Sequence, residues 1–244
     1  MITITTDFGY QDHYVAVMKG VILKINPEAK IVDITHAVRR HDIRHASYIL
    51  KCILPYFSNA VHLFVVDPGV GTERRGIAAK LKTGWFVGPD NGILTFVQEE
   101  VEEVYEILAE EKSTTFHGRD VFAPAAARID MGDFSMLKKI GKFVKFPYRR
   151  ARRDGSIIRG EILHIDHFGN IITNIPQRMV KDAHFIQFEN TKIRMVKSYG
   201  YARKGELIAL INSEELLEIS VNQATASEKL SLKPGDSIEI ELIP

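Results

Sequence analysis

Three short segments of this 244-residue chain combine residue types that do chemistry. In Asp67-Pro68-Gly69-Val70-Gly71-Thr72-Glu73-Arg74 a carboxylate closes an apolar run. Proline and two glycines then force a tight loop in which backbone can approach a ligand. Arg74 lies across that loop and can fold back on Asp67, keeping its carboxylate ionised. The same segment also reads as a strand-to-loop turn with a surface ion pair. His117-Gly118-Arg119-Asp120 precedes an alanine-rich helical stretch, residues 121–129, with Asp120 as the expected N-cap. His117 then sits in a loop at a helix start, beside Thr114 and Thr115. The third segment is Asp166-His167-Phe168-Gly169-Asn170. An aromatic face for stacking and an amide that both donates and accepts suit a planar heterocycle. A β-turn with Gly169 and Asn170 in left-handed geometry is the plainer alternative.

The elements that must position these groups change character along the chain. Strand-like segments at residues 2–6, 30–35 and 61–66 alternate with two amphipathic stretches. Tyr14, Met18, Val21, Ile22 and Ile25 recur at helical spacing in one, and His45, Ile49, Cys52, Ile53 and Tyr56 in the other. Such alternation predicts a mainly parallel sheet covered by helices. Ligands of such sheets sit at the carboxyl ends of the strands. Thr6-Asp7-Phe8-Gly9, Asp67 to Gly71, and Pro89-Asp90-Asn91-Gly92 each follow an apolar segment, where that rule puts a site. From residue 156 the pattern turns β-rich, with strands expected at 156–165, 171–174, 185–188, 206–211 and 237–243. In the last, Ile238, Ile240 and Leu242 alternate with Glu239 and Glu241. The expected fold class is α/β: an N-terminal α/β domain over residues 1–150 and a smaller C-terminal β-barrel-like domain over 156–244. A basic, turn-rich linker at 148–155 joins them.

Composition excludes several function classes. Apolar residues make up 45% and charged residues 26% of the chain, the mixture of a soluble globular protein. The net charge of +1 provides no global field toward nucleic acid or membrane, so neither is expected as a partner. The four arginines of residues 148–155 read as a solvated connection. No apolar run has the length of a membrane span, and the N-terminus lacks the pattern of a signal peptide. Cys52 is the only cysteine, which excludes an intrachain disulfide and a cysteine metal cage. It reads as a buried small apolar residue. A cytoplasmic location is expected.

Taken together, TTDFG near the N-terminus, DPGVGTERR, PDNG, HGRD and DHFGN occur in an order and at distances that resemble one family. It is that of the S-adenosyl-L-methionine hydroxide adenosyltransferases, relatives of the fluorinating and chlorinating enzymes that use the same substrate. The resemblance runs from residue 1 to about residue 240. It implies an enzyme that attacks C5′ of S-adenosyl-L-methionine with water, yielding adenosine and L-methionine, without metal or cofactor. It implies a catalytic set of Asp67, Arg74 and His117 that handles the water. It also implies that Asp7 holds the ribose hydroxyls and that Asp12 lies near the methionine end. Asp166 and Asn170 would contact the methionine amino group and the adenine, with Phe168 stacking. Ser213 would bind the methionine carboxylate, Val221 to Gln223 would read the adenine edge, and Glu218 would line the pocket. In the halogenating relatives an arginine follows the serine, whereas here Glu214 does. A homotrimer, with the site between subunits, is also implied.

Three other readings stand beside this one. A halogenase would use the same substrate, but a carboxylate beside the attacking atom disfavours an anion. A metal-dependent phosphoesterase would gather Asp7, Asp67, Asp90 and His117 around a hard cation. A non-catalytic nucleoside-binding protein would use Asp7 and Asn170 and gain nothing from Asp67, Arg74 and His117.

Overall fold

The computed structural model describes residues 1–108, 113–181 and 183–243. It divides into two compact units, Met1–Phe146 and Pro147–Pro244.

The first unit starts with β1 (Ile2–Thr6), every residue of which is buried. The chain continues through α1 (Tyr14–Ile25), β2 (Ile31–Thr35), α2 (Ile43–Ile53) and β3 (Ala60–Val65). The expected strand–helix alternation is therefore present in this half. Further on come β4 (Gly76–Leu81), β5 (Gly84–Pro89), β6 (Val101–Ile107), α3 (Ala123–Asp130) and β7 (Leu137–Ile140). Together the strands form one seven-stranded sheet in the order β2-β1-β3-β5-β4-β6-β7. Pairing is parallel from β2 to β5 and antiparallel through β4, β6 and β7. The antiparallel half has no counterpart in the sequence reading.

Apolar cores fill both faces of the sheet. On one, Ile2, Ile4, Leu63 and Val65 pack with Met18 and Ile22 of α1 and the alanines of α3. On the other, Phe64 and Val66 pack with Ala46 and Leu50 of α2. Alternate residues of β3 thus serve opposite faces, as the pleat demands. Asp42 fixes the start of α2, its side chain accepting from the His45 amide at 2.9 Å. Cys52 is half-buried rather than fully buried.

The second unit contains β8 (Arg152–Asp154), β9 (Ile157–Ile165), β10 (Ile171–Pro176), α4 (Gln177–Val180) and β11 (Phe185–Phe188). After these come β12 (Thr191–Met195), β13 (Leu207–Ile211), β14 (Leu216–Val221), α5 (Ala226–Leu230) and β15 (Ser237–Ile243). The strands run β10-β14-β13-β12-β11-β15-β9, and β9 pairs back to β10. That closure makes a seven-stranded barrel and removes open edges. Strand β8 adds outside the ring to β9, so part of the stretch expected as a linker is strand. The barrel is filled by Ile158, Ile162, Ile171, Ile186, Ile193, Ile219, Ile238 and Ile240. Each such side chain contributes about 1.5–3 kcal/mol by leaving water.

Candidate active site

The parallel half of the sheet places its polar residues at one edge. Asp7 follows β1, His36 follows β2, Asp67 lies just beyond β3 and Asp90 follows β5. All four stand at carboxyl ends of parallel strands, as the strand rule predicts.

Asp67 and Arg74 meet across the glycine loop. Arg74 Nε–H donates to Asp67 Oδ1 at 3.1 Å, and Nη2–H donates to Oδ2 at 2.5 Å. Both side chains are nearly buried, at 5% and 9% exposure, so this is not the surface ion pair of the plainer reading. Two parallel bonds of this kind fix the plane of the carboxylate. The guanidinium is further held by the Arg75 carbonyl at 2.9 Å and by the Phe122 ring 5.2 Å below it. Burial pushes the Asp67 carboxyl above the usual carboxylate range, and the opposing pull of Arg74 only partly offsets it.

His117 is buried and completes the array, its Nδ1 lying 2.9 Å from Arg74 Nη2. Guanidinium has donors only, so Nδ1 must be the acceptor and the ring proton of neutral His117 is on Nε2. This group is joined although His117 is 43 residues from Arg74 in sequence. The loop geometry explains the junction. Gly71 has φ +75°, and a Cβ there would lie 2.4 Å from the Thr114 carbonyl oxygen. Only glycine lets the Asp67 loop press against the segment that leads to His117.

Asp120 is not an N-cap. It lies inside a π-type turn, Gly118–Phe122, that runs directly into α3, and the cap position belongs to His117. The Asp120 carboxylate instead takes two 2.8 Å bonds from Arg119. A wide turn continuous with the helix leaves no separate helix start for Asp120 to cap.

The other first-unit residues are placed as follows. Asp7 accepts from the His41 amide at 2.8 Å, and its side chain is largely buried. Asp12 is exposed in the loop before α1. Asp90 is bound by Arg75 at 2.5 Å and by the Val144 amide at 2.7 Å. Asp7, Asp67, Asp90 and His117 do not converge. Among the described residues, no group of three or more histidine, cysteine or acidic side chains is placed to share a metal ion.

In the barrel, the Asp166–Asn170 turn is closed by its own hydrogen bonds. Asp166 Oδ1 accepts from the amides of Phe168 and Asn170, each at 2.9 Å, and Oδ2 accepts from the Asn170 side chain at 2.8 Å. Asn170 is buried, whereas Phe168 is 74% exposed and offers a free ring face. Gly169, at φ +82°, presses on Thr225, where a Cβ would meet Cγ2 at 2.3 Å. That contact joins the turn to the segment after β14. Val221, the last residue of β14, is buried and bridges to Ala224, and in the segment that follows Gln223 has a left-handed φ of +59°.

Glu218 lies within β14 and is 3% exposed. Its Oε1 accepts from the Tyr199 and Ser220 hydroxyls, both at 2.6 Å. Burial pushes its carboxyl upward, and nearby Asp166 and Glu214 add to the shift. Tyr199 and Ser220 are the residues of this group that the sequence analysis does not name, and Tyr199 is the distant one. It sits in a short turn with no periodic or motif signal, and only the fold brings it to Glu218. Ser213 is not brought to the same place. It lies in the β13–β14 turn, at the opposite end of β14 from Val221 and Gln223, and its hydroxyl donates to Glu214 at 2.8 Å.

A buried carboxylate–guanidinium–imidazole array at the carboxyl ends of parallel strands is the arrangement of a small-molecule enzyme site. Comparison with known proteins is more specific. The chain belongs to the SAM hydroxide adenosyltransferase family, whose N-terminal domain model matches residues 2–141 and whose C-terminal domain model matches residues 160–239. An (R)-S-adenosyl-L-methionine hydrolase of Methanocaldococcus jannaschii is 40% identical, covering 98% of this chain and 95% of its own length. A fluorinase of Nocardia brasiliensis is 26% identical, over 99% of this chain and 97% of its own. The crystal structure of an uncharacterised conserved protein from Thermotoga maritima superposes with a TM-score of 0.89 at 40% identity, covering 98% of this chain and 99% of that one.

Proposed function

We propose that the protein is a hydrolase that splits S-adenosyl-L-methionine with water at C5′, giving adenosine and L-methionine. The observation that carries this reading is the buried Asp67–Arg74–His117 array. Membership of the family, and the greater identity to hydrolases than to fluorinases, support it.

The chemistry makes one demand. The sulfonium leaves as a neutral thioether, so no acid is needed at the leaving group. Water, with a pKa of about 15.7, is the weak partner. As the new O–C5′ bond forms, the electrons of the C5′–S bond move to sulfur and the water proton must be accepted. Asp67 is the acceptor in this reading. Arg74 holds its carboxylate ionised and oriented, and burial raises its proton affinity. His117 has Nδ1 occupied by Arg74, which leaves it a donor at Nε2. Such a donor suits holding the water or product oxygen and is unsuited to taking its proton. Holding the water in line with C5′–S supplies up to about 7–11 kcal/mol in favourable cases.

Asp7 and Asp12, Asp166, Phe168 and Asn170, and Ser213, Glu218, Val221 and Gln223 serve substrate binding in the same proposal. The (R) configuration at sulfur is proposed as the preferred substrate, because the relatives at 34–40% identity carry that designation. A homotrimer in the cytoplasm completes the reading, and light scattering of the active protein tests the assembly. Among the described residues no helix is long and apolar enough to cross a membrane. Product analysis tests the function. Incubation with substrate, chelator and chloride yields adenosine and methionine. A chlorinated nucleoside would overturn the hydrolase reading, and unchanged substrate would favour a binding protein.

A further inference from the structure

The loop that carries Asp7 is braced by a set of polar groups that the proposed reaction does not use, buried at Thr6 and His36 and half-buried at Asp33 and Lys19. His36 is 1% exposed and touches this loop three ways. Its Nδ1 lies 2.8 Å from the Thr6 hydroxyl. Its carbonyl accepts from the Gly9 amide at 2.7 Å. Its ring meets the edge of Tyr10 at 4.8 Å. On the far side, Nε2 is 3.2 Å from Asp33 Oδ1, and Lys19 binds Asp33 Oδ2 at 2.5 Å.

The polarity of this set is consistent along its length. Lys19 is a donor only, so Asp33 is the carboxylate it pairs with. Asp33 Oδ1 is not aligned for a hydrogen bond with Nε2, but its charge 3.2 Å away favours the His36 tautomer with its proton on Nε2. Nδ1 is then the acceptor, and the Thr6 hydroxyl proton points toward it. The Thr6 oxygen in turn accepts from the Phe8 amide at 3.2 Å. Burial pushes the His36 imidazole below its ordinary range, against the opposing pull of Asp33, which keeps the ring neutral and the polarity fixed. Asp7 stands between Thr6 and Phe8, so this set brackets it on both sides.

We propose that His36 is a positioning residue for the ribose end of the substrate site, fixing the Thr6–Gly9 loop so that Asp7 meets the ribose hydroxyls. This rests on the reading of Asp7 as the ribose-binding carboxylate. Asp33 and Lys19 act through His36 and touch no substrate.

The test compares S-adenosyl-L-methionine with its analogue lacking both ribose hydroxyls, using the full-length protein. A charge-assisted hydrogen bond to a substrate hydroxyl gives the native enzyme a preference of about tenfold or more for the ribose form. Thr6→Val removes the hydroxyl while keeping the shape. His36→Leu removes the acceptor. In both, KM for the ribose substrate rises about tenfold with kcat nearly unchanged, the signature of lost uniform binding. The preference for ribose collapses toward one. His36→Asn, which restores an acceptor near Nδ1, recovers most of it. Asp7→Asn is the control and loses the preference. If Thr6→Val and His36→Leu keep the native preference while Asp7→Asn loses it, the positioning role is wrong and the ribose reading stands. If Asp7→Asn itself keeps the preference, the ribose reading fails and the inference with it. Should His36→Leu not fold, Thr6→Val alone gives the answer.

Discussion

The two units place polar chemistry in different ways. In the α/β unit, Asp67 and Arg74 of one loop and His117 of a distant segment satisfy one another through ionic and charge-assisted contacts. In the barrel, Asp166, Phe168 and Asn170 close a single turn on itself. The first arrangement keeps a carboxylate of raised proton affinity in a fixed plane, as moving a proton requires. The second is a shaped, pre-ordered surface with an exposed ring, as holding a flat ligand requires.

The largest expected effect breaks the first arrangement. Asp67→Asn keeps the shape and removes the proton acceptor, so kcat falls about 10³-fold while substrate binding by calorimetry is retained. Near-normal turnover would remove Asp67 from the water-handling set. Arg74→Gln is next, with a loss of about 10²-fold, because Asp67 loses its ionic partner and His117 its tautomer lock. The pH profile sharpens this. Activity needs ionised Asp67, so it falls as pH drops through the raised carboxyl pKa. Without the guanidinium that pKa rises further, and the acid limb moves to higher pH. An acid limb that stays in place would contradict the coupling.

In the barrel the effects are smaller. Glu218→Gln keeps an acceptor for Tyr199 and Ser220 but removes the carboxylate that the proposed function sets against a cationic substrate. Affinity drops about tenfold by calorimetry, with kcat little changed. The smallest effects concern stability and compare the two loops directly. Gly169→Ala forces both a positive φ and a clash with Thr225, and costs about 1–3 kcal/mol in denaturant titration. Gly9→Ala, at φ +69° with nothing within 4 Å, carries only backbone strain of about 1 kcal/mol. Equal losses would show that the Thr225 contact does not matter.

How far the sequence could be read follows the same division. The parallel half was legible because apolar strands and helical stripes alternate plainly, and residues 2–6 and 14–25 form β1 and α1 as expected. The motifs were legible because glycines and charged residues at strand ends are unusual. Strand β14 was not, although Glu218 and Ser220 alternate with Leu217, Ile219 and Val221, because both polar residues are buried and the short alternation does not separate a core face from a solvent face. Asp120 misled because Ser, Thr, Asp or Asn before an apolar run normally signals a cap, and a π-type turn replaces it. Tyr199 and the Lys19–Asp33–His36–Thr6 set carry no local pattern. Only the packing of strands and loops brings them together.

The central claim is water attack at C5′ with Asp67 accepting the proton. The most direct test is turnover in water enriched in heavy oxygen, with the products read by mass. The account predicts heavy oxygen in adenosine, bonded to C5′, and none in methionine, with the label and the rate unaffected by chloride. Unlabelled adenosine, or label elsewhere, would contradict it.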